Sequence, residues 1–294
     1  MDFNYIKDIE YAKNILDLTE NEMLNLLGVS RMTYYRWIHN VTKLNNNNLE
    51  NIYTVLYEQN IRINALKEEM YKTKEKKNIK ILYHGAKNYI EGPITIEKSE
   101  PKKDFGKGFY VSESLLQSAS FVSNYPQSSI YVLELNINKN IKIKEFEVSK
   151  EWMILISYFR GKIDEYKDSK YLKDLLKSIE DIDIIIAPIA DNTMYEILDD
   201  FSSGDITDLQ CLNALSANWL GKQYVFLNDK VINRSLKIID RLYVCNKERN
   251  EYITKRDSNL KMGKDKVKLA KRSFAGKGKY IEELLVWERW MNMA

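Results

Sequence analysis

The sequence predicts an α+β chain, with an all-helical N-terminal module followed by a larger domain of short strands and interspersed helices. Two observations predict it. Up to Met70 the apolar residues recur at helical spacing. After Lys77 they regroup into short β-branched and aromatic runs without regular strand–helix alternation. With 44% hydrophobic and 30% charged residues among 294, wholesale disorder is excluded, and there is chain enough for one large domain or two of ordinary size.

Residues 1–46 read as a helix-turn-helix module. Thr19 caps a first helix and Glu22, three residues on, completes a capping box, with Met23, Leu24, Leu26 and Leu27 as the apolar face. Gly28-Val29-Ser30 interrupts, and Ser30 caps a second helix over Arg31–Ile38. If the partner is duplex DNA, Arg31, Thr33, Tyr34 and Arg36 are the groove-reading candidates. The surrounding Asp and Glu residues weaken the attraction to phosphate. A helical module that dimerises or receives a partner protein fits the same pattern, and the two readings stay open.

A polar Asn45–Asn48 linker leads into residues 47–78, read as one connecting helix whose solvated end is Lys72–Lys77. Residues 79–246 form the mixed domain. Strands are expected at Ile79–His84, Gly108–Val111, Ser129–Leu135, Asp183–Ala187, Gln223–Leu227 and Ile238–Val244. Helices are expected near Leu115–Val122, Trp152–Phe159, Tyr171–Ile179 and Asp208–Trp219. Residues 247–294 read as a poorly patterned basic segment, then an amphipathic helix from Ile281 to Met291 that carries Trp287 and Trp290.

Partners are weakly signalled. A net charge of +3 names none, and any polyanion contact is expected in the Lys- and Arg-rich 247–279 stretch. Cys211 and Cys245 are too few for a disulfide framework and lack metal-ligand spacing, so no metal is expected. Neither a signal-peptide start nor a membrane-length apolar run is evident, and the expectation is a cytoplasmic protein without a membrane partner.

Four segments carry the chemistry. His84-Gly85 closes a strand; Asp104-Phe105-Gly106-Lys107-Gly108-Phe109-Tyr110 leads into the next. Gln117-Ser118-Ala119-Ser120-Phe121 lies on the helix that follows, and Gln223-Tyr224-Val225-Phe226 opens a late strand. Singly, each has an ordinary structural reading. Together and in this order they resemble the ADP-ribosyltransferase superfamily, in the branch of diphtheria toxin and the poly(ADP-ribose) polymerases. That branch shows His-Gly, Lys-Gly-x-Tyr, Ser-Ala-x-aromatic and a late Glu-Tyr-x-Val or its variant. Pro188-Ile189-Ala190-Asp191 and the Gln223-Tyr224 pair also resemble bacterial His-Tyr-Gln domains often found in toxin–antitoxin operons. The resemblance covers roughly residues 80–245.

The resemblance implies a split β-sheet domain that uses NAD as substrate, with His84, Tyr110 and Gln223 as the catalytic set. Cleaving nicotinamide from ribose passes through an oxocarbenium-like state, so the protein must hold NAD bent for attack at the anomeric carbon. By the same resemblance His84 bonds the adenosine ribose, and the Gly85 backbone and Ser118 bond the nicotinamide carboxamide. Tyr110 and Phe121 flank the nicotinamide ring. Gln223 departs from the usual Glu: it keeps the hydrogen-bonding shape but carries no charge and cannot be a general base. The acceptor then needs little activation, or a base comes from elsewhere, such as Asp191 or Asp229, or the domain is an inert NAD binder.

The function expected is transfer of ADP-ribose from NAD to a macromolecule, protein or nucleic acid, by the toxin of a toxin–antitoxin or phage-defence pair, with an antitoxin protein as partner. The alternatives are a DNA-binding regulator with an inert NAD-sensing domain, or an NAD glycohydrolase.

Overall fold

The structure, a computed structural model, describes residues 2–39, 41–190, 192–217 and 221–285. Among them the chain is mixed α+β. Five helices come first: α1 (Tyr5–Ile15), α2 (Glu20–Leu27), α3 (Arg31–Ile38), α4 (Asn46–Glu58) and α5 (Ile63–Lys72). Then follow β1 (Ile79–Ala86), β2 (Phe109–Ser112), α6 (Leu115–Val122), β3 (Ser129–Asn136), β4 (Ile143–Glu145), α7 (Lys150–Phe159) and α8 (Lys170–Lys177). The chain continues through β5 (Ile184–Pro188), α9 (Asn192–Ser202), α10 (Asp208–Ser216), β6 (Lys222–Phe226), α11 (Asp229–Ser235) and β7 (Leu236–Leu242). It ends in α12 (Asn246–Ser273) and α13 (Ile281–Leu285).

Two compact units divide these elements. The first comprises Met1–Glu91, Ser114–Asn136 and Lys237–Lys255. In it β1 pairs antiparallel with β3, and β7 lies on the other side of β3. Helix α6 covers Ile81, Tyr83, Ile130 and Val132 through Leu115 and Ala119. A second core gathers Ile9, Met23, Leu27, Trp37, Ile52 and Leu56 of α1–α4, and Cys245 joins it. The Thr19–Glu22 capping box forms as read, Gly28 ends α2 in the left-handed region and Ser30 caps α3.

The single connecting helix expected over 47–78 is corrected to two, α4 and α5. Asn60 takes φ +64, and the Ile61 N–H returns to the Leu56 carbonyl while that of Asn60 returns to Tyr57. This left-handed C-terminal motif stops α4 after Glu58. Helix α5 is then fastened by charge. The buried Lys67 ammonium lies 2.9 Å from Asp8 of α1 and 2.6 Å from Asp240 of β7. Tyr53 and Tyr71 donate their hydroxyls to the same two carboxylates. Tying the helices to β7 in this way leaves neither carboxylate buried without a partner.

The second unit comprises Gly92–Glu113, Ile137–Leu236 and Arg256–Ala294, with strand order β4-β5-β6-β2. β4 and β5 run parallel, and β6 is antiparallel to both β5 and β2. Its core joins Trp152–Ile156 of α7 with Met194, Ile197, Phe201, Cys211, Leu215, Ile185 and Val225. The basic segment expected to be poorly patterned is helical over Asn246–Ser273. No proline interrupts it, and from Arg256 onward its buried residues Gly263, Val267 and Ala270 recur at helical spacing. They are small, so the periodicity is faint in the sequence. Of the expected C-terminal amphipathic helix, Ile281–Leu285 is described, with Ile281 and Leu285 buried. Trp287 and Trp290 lie outside the described residues. No helix among the described residues is long and apolar enough to cross a membrane.

Candidate functional site

In the first unit, His84 and Gly85 stand near the end of β1, opposite Tyr131 and Ile130 of β3. Both are half-buried. Helix α6 settles onto β1 at this point because position 85 has no side chain. A Cβ there would fall far inside contact distance of the Ser118 carbonyl oxygen and 3.0 Å from a Val122 methyl. Ser118 is buried and donates its hydroxyl to the Tyr83 carbonyl at 2.8 Å, fixing the α6–β1 approach. Phe121, one turn along α6, is 59% exposed.

In the second unit, Tyr110 and Gln223 share one face of the β2–β6 ladder. Ser112 pairs with Gln223 and Tyr110 with Val225, so Tyr110 is the diagonal neighbour of Gln223 on the same face. Gly108 lets β2 run close to β6: a Cβ there would stand 2.8 Å from a Val225 methyl and 3.0 Å from the Phe226 carbonyl. The Asp104–Gly106 turn hangs on Tyr110, whose hydroxyl donates to the Gly106 carbonyl at 2.8 Å and accepts from the Phe105 N–H at 3.0 Å. Gly106 takes φ +71, a left-handed conformation that suits glycine. Phe105 drives its ring into the core.

Behind these residues lies a polar network that sequence reading missed. Asp104, 4% exposed, accepts at Oδ2 from Gln223 Nε2 at 2.8 Å. Its Oδ1 accepts from Arg160 Nε at 2.9 Å, Arg160 Nη2 at 2.7 Å and the Tyr195 hydroxyl at 3.0 Å. The Arg160 guanidinium also covers the Tyr195 ring, 3.4 Å from its centroid. Gln223, itself 8% exposed, spends its second amide hydrogen on the Pro188 carbonyl at 3.0 Å. Burial pushes the Tyr110 and Tyr195 phenols well above their ordinary range, and the Asp104 charge pushes the same way, so both stay protonated donors. Asp104 was visible as the first residue of Asp-Phe-Gly-Lys-Gly-Phe-Tyr, but nothing local marks Arg160 or Tyr195.

The remaining candidates separate. Asp229 anchors a turn, accepting from the Thr95 hydroxyl and the Ile96 N–H at 2.8 Å each. Asp191 lies outside the described residues. On α3, Arg31 and Arg36 are exposed and Thr33 half-buried, with Arg31 donating to Asn21. Tyr34, expected on the groove-reading face, is corrected to a core residue. At 3% exposure its ring packs with Trp37 in the helical core. Among the described residues no group of three or more His, Cys, Asp or Glu side chains could hold a metal ion.

Comparison with known proteins gives a family. Residues 80–238 match the model of the family described as "Protein of unknown function (DUF3990)". The match spans more than half of the chain, which belongs to that family. No curated protein and no solved structure matches the chain.

Proposed function

We propose that this chain is an NAD-dependent ADP-ribosyltransferase, the toxin of a bacterial toxin–antitoxin or phage-defence pair, which transfers ADP-ribose from NAD to a macromolecule. One observation carries the reading: Tyr110 and Gln223 share a face of adjacent antiparallel strands, with the Gln223 amide held by two buried acceptors. An aromatic platform and a fixed hydrogen-bonding group on one face suit a planar leaving group attached to a ribose. All four segments of the resemblance fall within the stretch matched by the family model.

In this reading His84 grips the adenosine ribose, and the Gly85 backbone and Ser118 engage the nicotinamide carboxamide. Tyr110 and Phe121 flank the leaving ring, and Gln223 Oε1 accepts from a ribose hydroxyl. Asp229 is committed to its turn and supplies no base. That leaves an acceptor whose nucleophile needs little activation, or a base such as Asp191. The N-terminal helices serve regulation, targeting or the antitoxin. Incubating the protein and a cell extract with labelled NAD tests the reading. Nicotinamide release with label on a protease- or nuclease-sensitive product is expected. Release without a labelled product reassigns the chain to NAD hydrolysis, and no release rejects the enzymatic reading.

A further inference from the structure

The Asp104–Arg160–Tyr195 network has no role in the reading above, and its geometry constrains one atom of Gln223. A carboxamide can rotate to exchange its oxygen and nitrogen, so a glutamine placed where the resemblance puts a glutamate can present either an acceptor or a donor. Here the choice is forced. Gln223 Nε2 faces Asp104 Oδ2 at 2.8 Å and the Pro188 carbonyl oxygen at 3.0 Å, and a carbonyl and a carboxylate both only accept. The exchanged rotamer would set Oε1 against two oxygens. The nitrogen therefore turns inward and Oε1 outward.

We infer that Asp104 is a positioning residue for Gln223: it fixes the carboxamide so that Oε1 is presented as an acceptor, and its charge polarises that amide. The inference rests on the reading of Gln223 as the group that meets the NAD ribose. Asp104 can do this because Arg160 and Tyr195 saturate its other oxygen, leaving Oδ2 for Gln223. The Arg160 charge makes it tolerable to bury the carboxylate. A hydrogen bond from Nε2 to a carboxylate draws electron density through the amide towards Oε1, in surroundings where few waters screen the effect. The site thus recovers part of the negative character that replacing Glu by Gln removes.

Exchanging the carboxylate and the carboxamide between the two positions tests this. In Asp104→Asn, Arg160 and Tyr195 demand an acceptor at the Oδ1 position, so the Asn amide nitrogen faces Gln223. Donor then meets donor if Gln223 stays, and its oxygen meets the Pro188 carbonyl if it flips, so neither orientation is satisfied and Oε1 is no longer fixed as the presented acceptor. Turnover in nicotinamide release is expected to fall about 10- to 100-fold, the usual cost of losing the partner that orients a functional group, with little change in KM for NAD. Gln223→Glu alone sets two carboxylates together and is also expected to be impaired. Combining Asp104→Asn with Gln223→Glu restores one donor facing one carboxylate, while the Pro188 carbonyl lacks its donor in both proteins that carry Glu, so the double variant should exceed Gln223→Glu alone. A residue that merely supports the fold would give additive losses.

Asp104→Asn within twofold of wild type, or a double variant no better than Gln223→Glu alone, overturns the inference. The side-chain amide signals of Gln223 in nitrogen-edited NMR spectra, assigned by their loss in Gln223→Glu, give a second readout that needs no NAD. They should shift and exchange faster with solvent in Asp104→Asn, and unchanged signals overturn the inference. If wild type releases no nicotinamide, the NAD reading fails by itself and the amide signals still decide whether Asp104 orients Gln223. Tyr195→Phe removes one hydrogen bond and keeps the Arg160 pair. Should Asp104→Asn not fold, a smaller shift of the same signals in Tyr195→Phe is expected, and none overturns the inference.

Discussion

Gly85 of β1 lies against the carbonyl oxygen of Ser118 on α6, so close that no side chain fits between them. The Ser118 hydroxyl locks the same approach by donating to Tyr83. A methyl at position 85 meets the Ser118 backbone as well as the stiff Val122 side chain, so the helix itself must shift. Gly85→Ala should destabilise the protein by about 1–3 kcal/mol, as overpacking does, and reduce nicotinamide release. Urea denaturation measures the first effect, and an unchanged midpoint would remove the packing argument.

Lys67 stands between two buried carboxylates, Asp8 and Asp240, that lie far apart in the sequence. Lys67→Met keeps the aliphatic bulk and removes the charge. The cost should be about 3–5 kcal/mol, the range for stranding a buried charge. Burial pushes the Asp8 carboxyl above its ordinary range, so the loss should shrink in mildly acidic buffer as Asp8 takes up a proton. A loss below about 1 kcal/mol at neutral pH, a value typical of exposed pairs, would show that the network contributes little.

Glu248 gives a pH dependence with a definite sign. Burial pushes its carboxyl up from 4.5 to about 7, against the hydrogen bonds from Tyr252 and Asn64, which favour the ionised form. Between these values the folded chain holds a proton that the unfolded chain has lost. The contribution to stability is therefore complete below 4.5 and disappears as the pH rises to about 7. At about 1.4 kcal/mol per pKa unit the swing is ~3 kcal/mol. Glu248→Gln should flatten it, with its oxygen accepting from Asn64 and its nitrogen donating to the Tyr252 hydroxyl. Thermal midpoints of both proteins across this window check the sign. A wild-type midpoint that climbs relative to the variant would contradict it.

What the sequence revealed follows the range of the forces involved. The Thr19–Glu22 box and the Gly28 and Ser30 caps are local chemistry, legible from four residues each. Apolar runs announced β1, β3, β5 and β6, whereas β4 is three residues long and owes its existence to pairing with β5. Tyr110 and Gln223 could be picked out by motif, but the bond from Gln223 to Asp104 spans 119 positions. Arg160 and Tyr195 reach the same carboxylate from α7's C-cap and from α9, where the local pattern predicts only an exposed cation and a core aromatic. Tyr34 failed the opposite way: a residue in the groove-reading stretch of α3 can equally face the core, and here the core takes it.

Tyr110 separates the ring from the hydroxyl in one position. Its hydroxyl holds the Asp104–Gly106 turn through Gly106 and Phe105, while its ring stands on the face shared with Gln223. Tyr110→Phe keeps the ring and leaves two backbone groups without their partner, at a cost of about 1–3 kcal/mol in stability. The turn carries Asp104, so loosening it displaces the partner of Gln223, and turnover should drop about tenfold or more. Tyr110→Ala also removes the platform and should abolish nicotinamide release, as should His84→Ala. The expected order is wild type, then Phe, then Ala. Equal activity in the Phe and Ala variants would assign the whole effect to the turn and none to stacking, and wild-type turnover in Tyr110→Ala and His84→Ala would reject both residues as parts of the site.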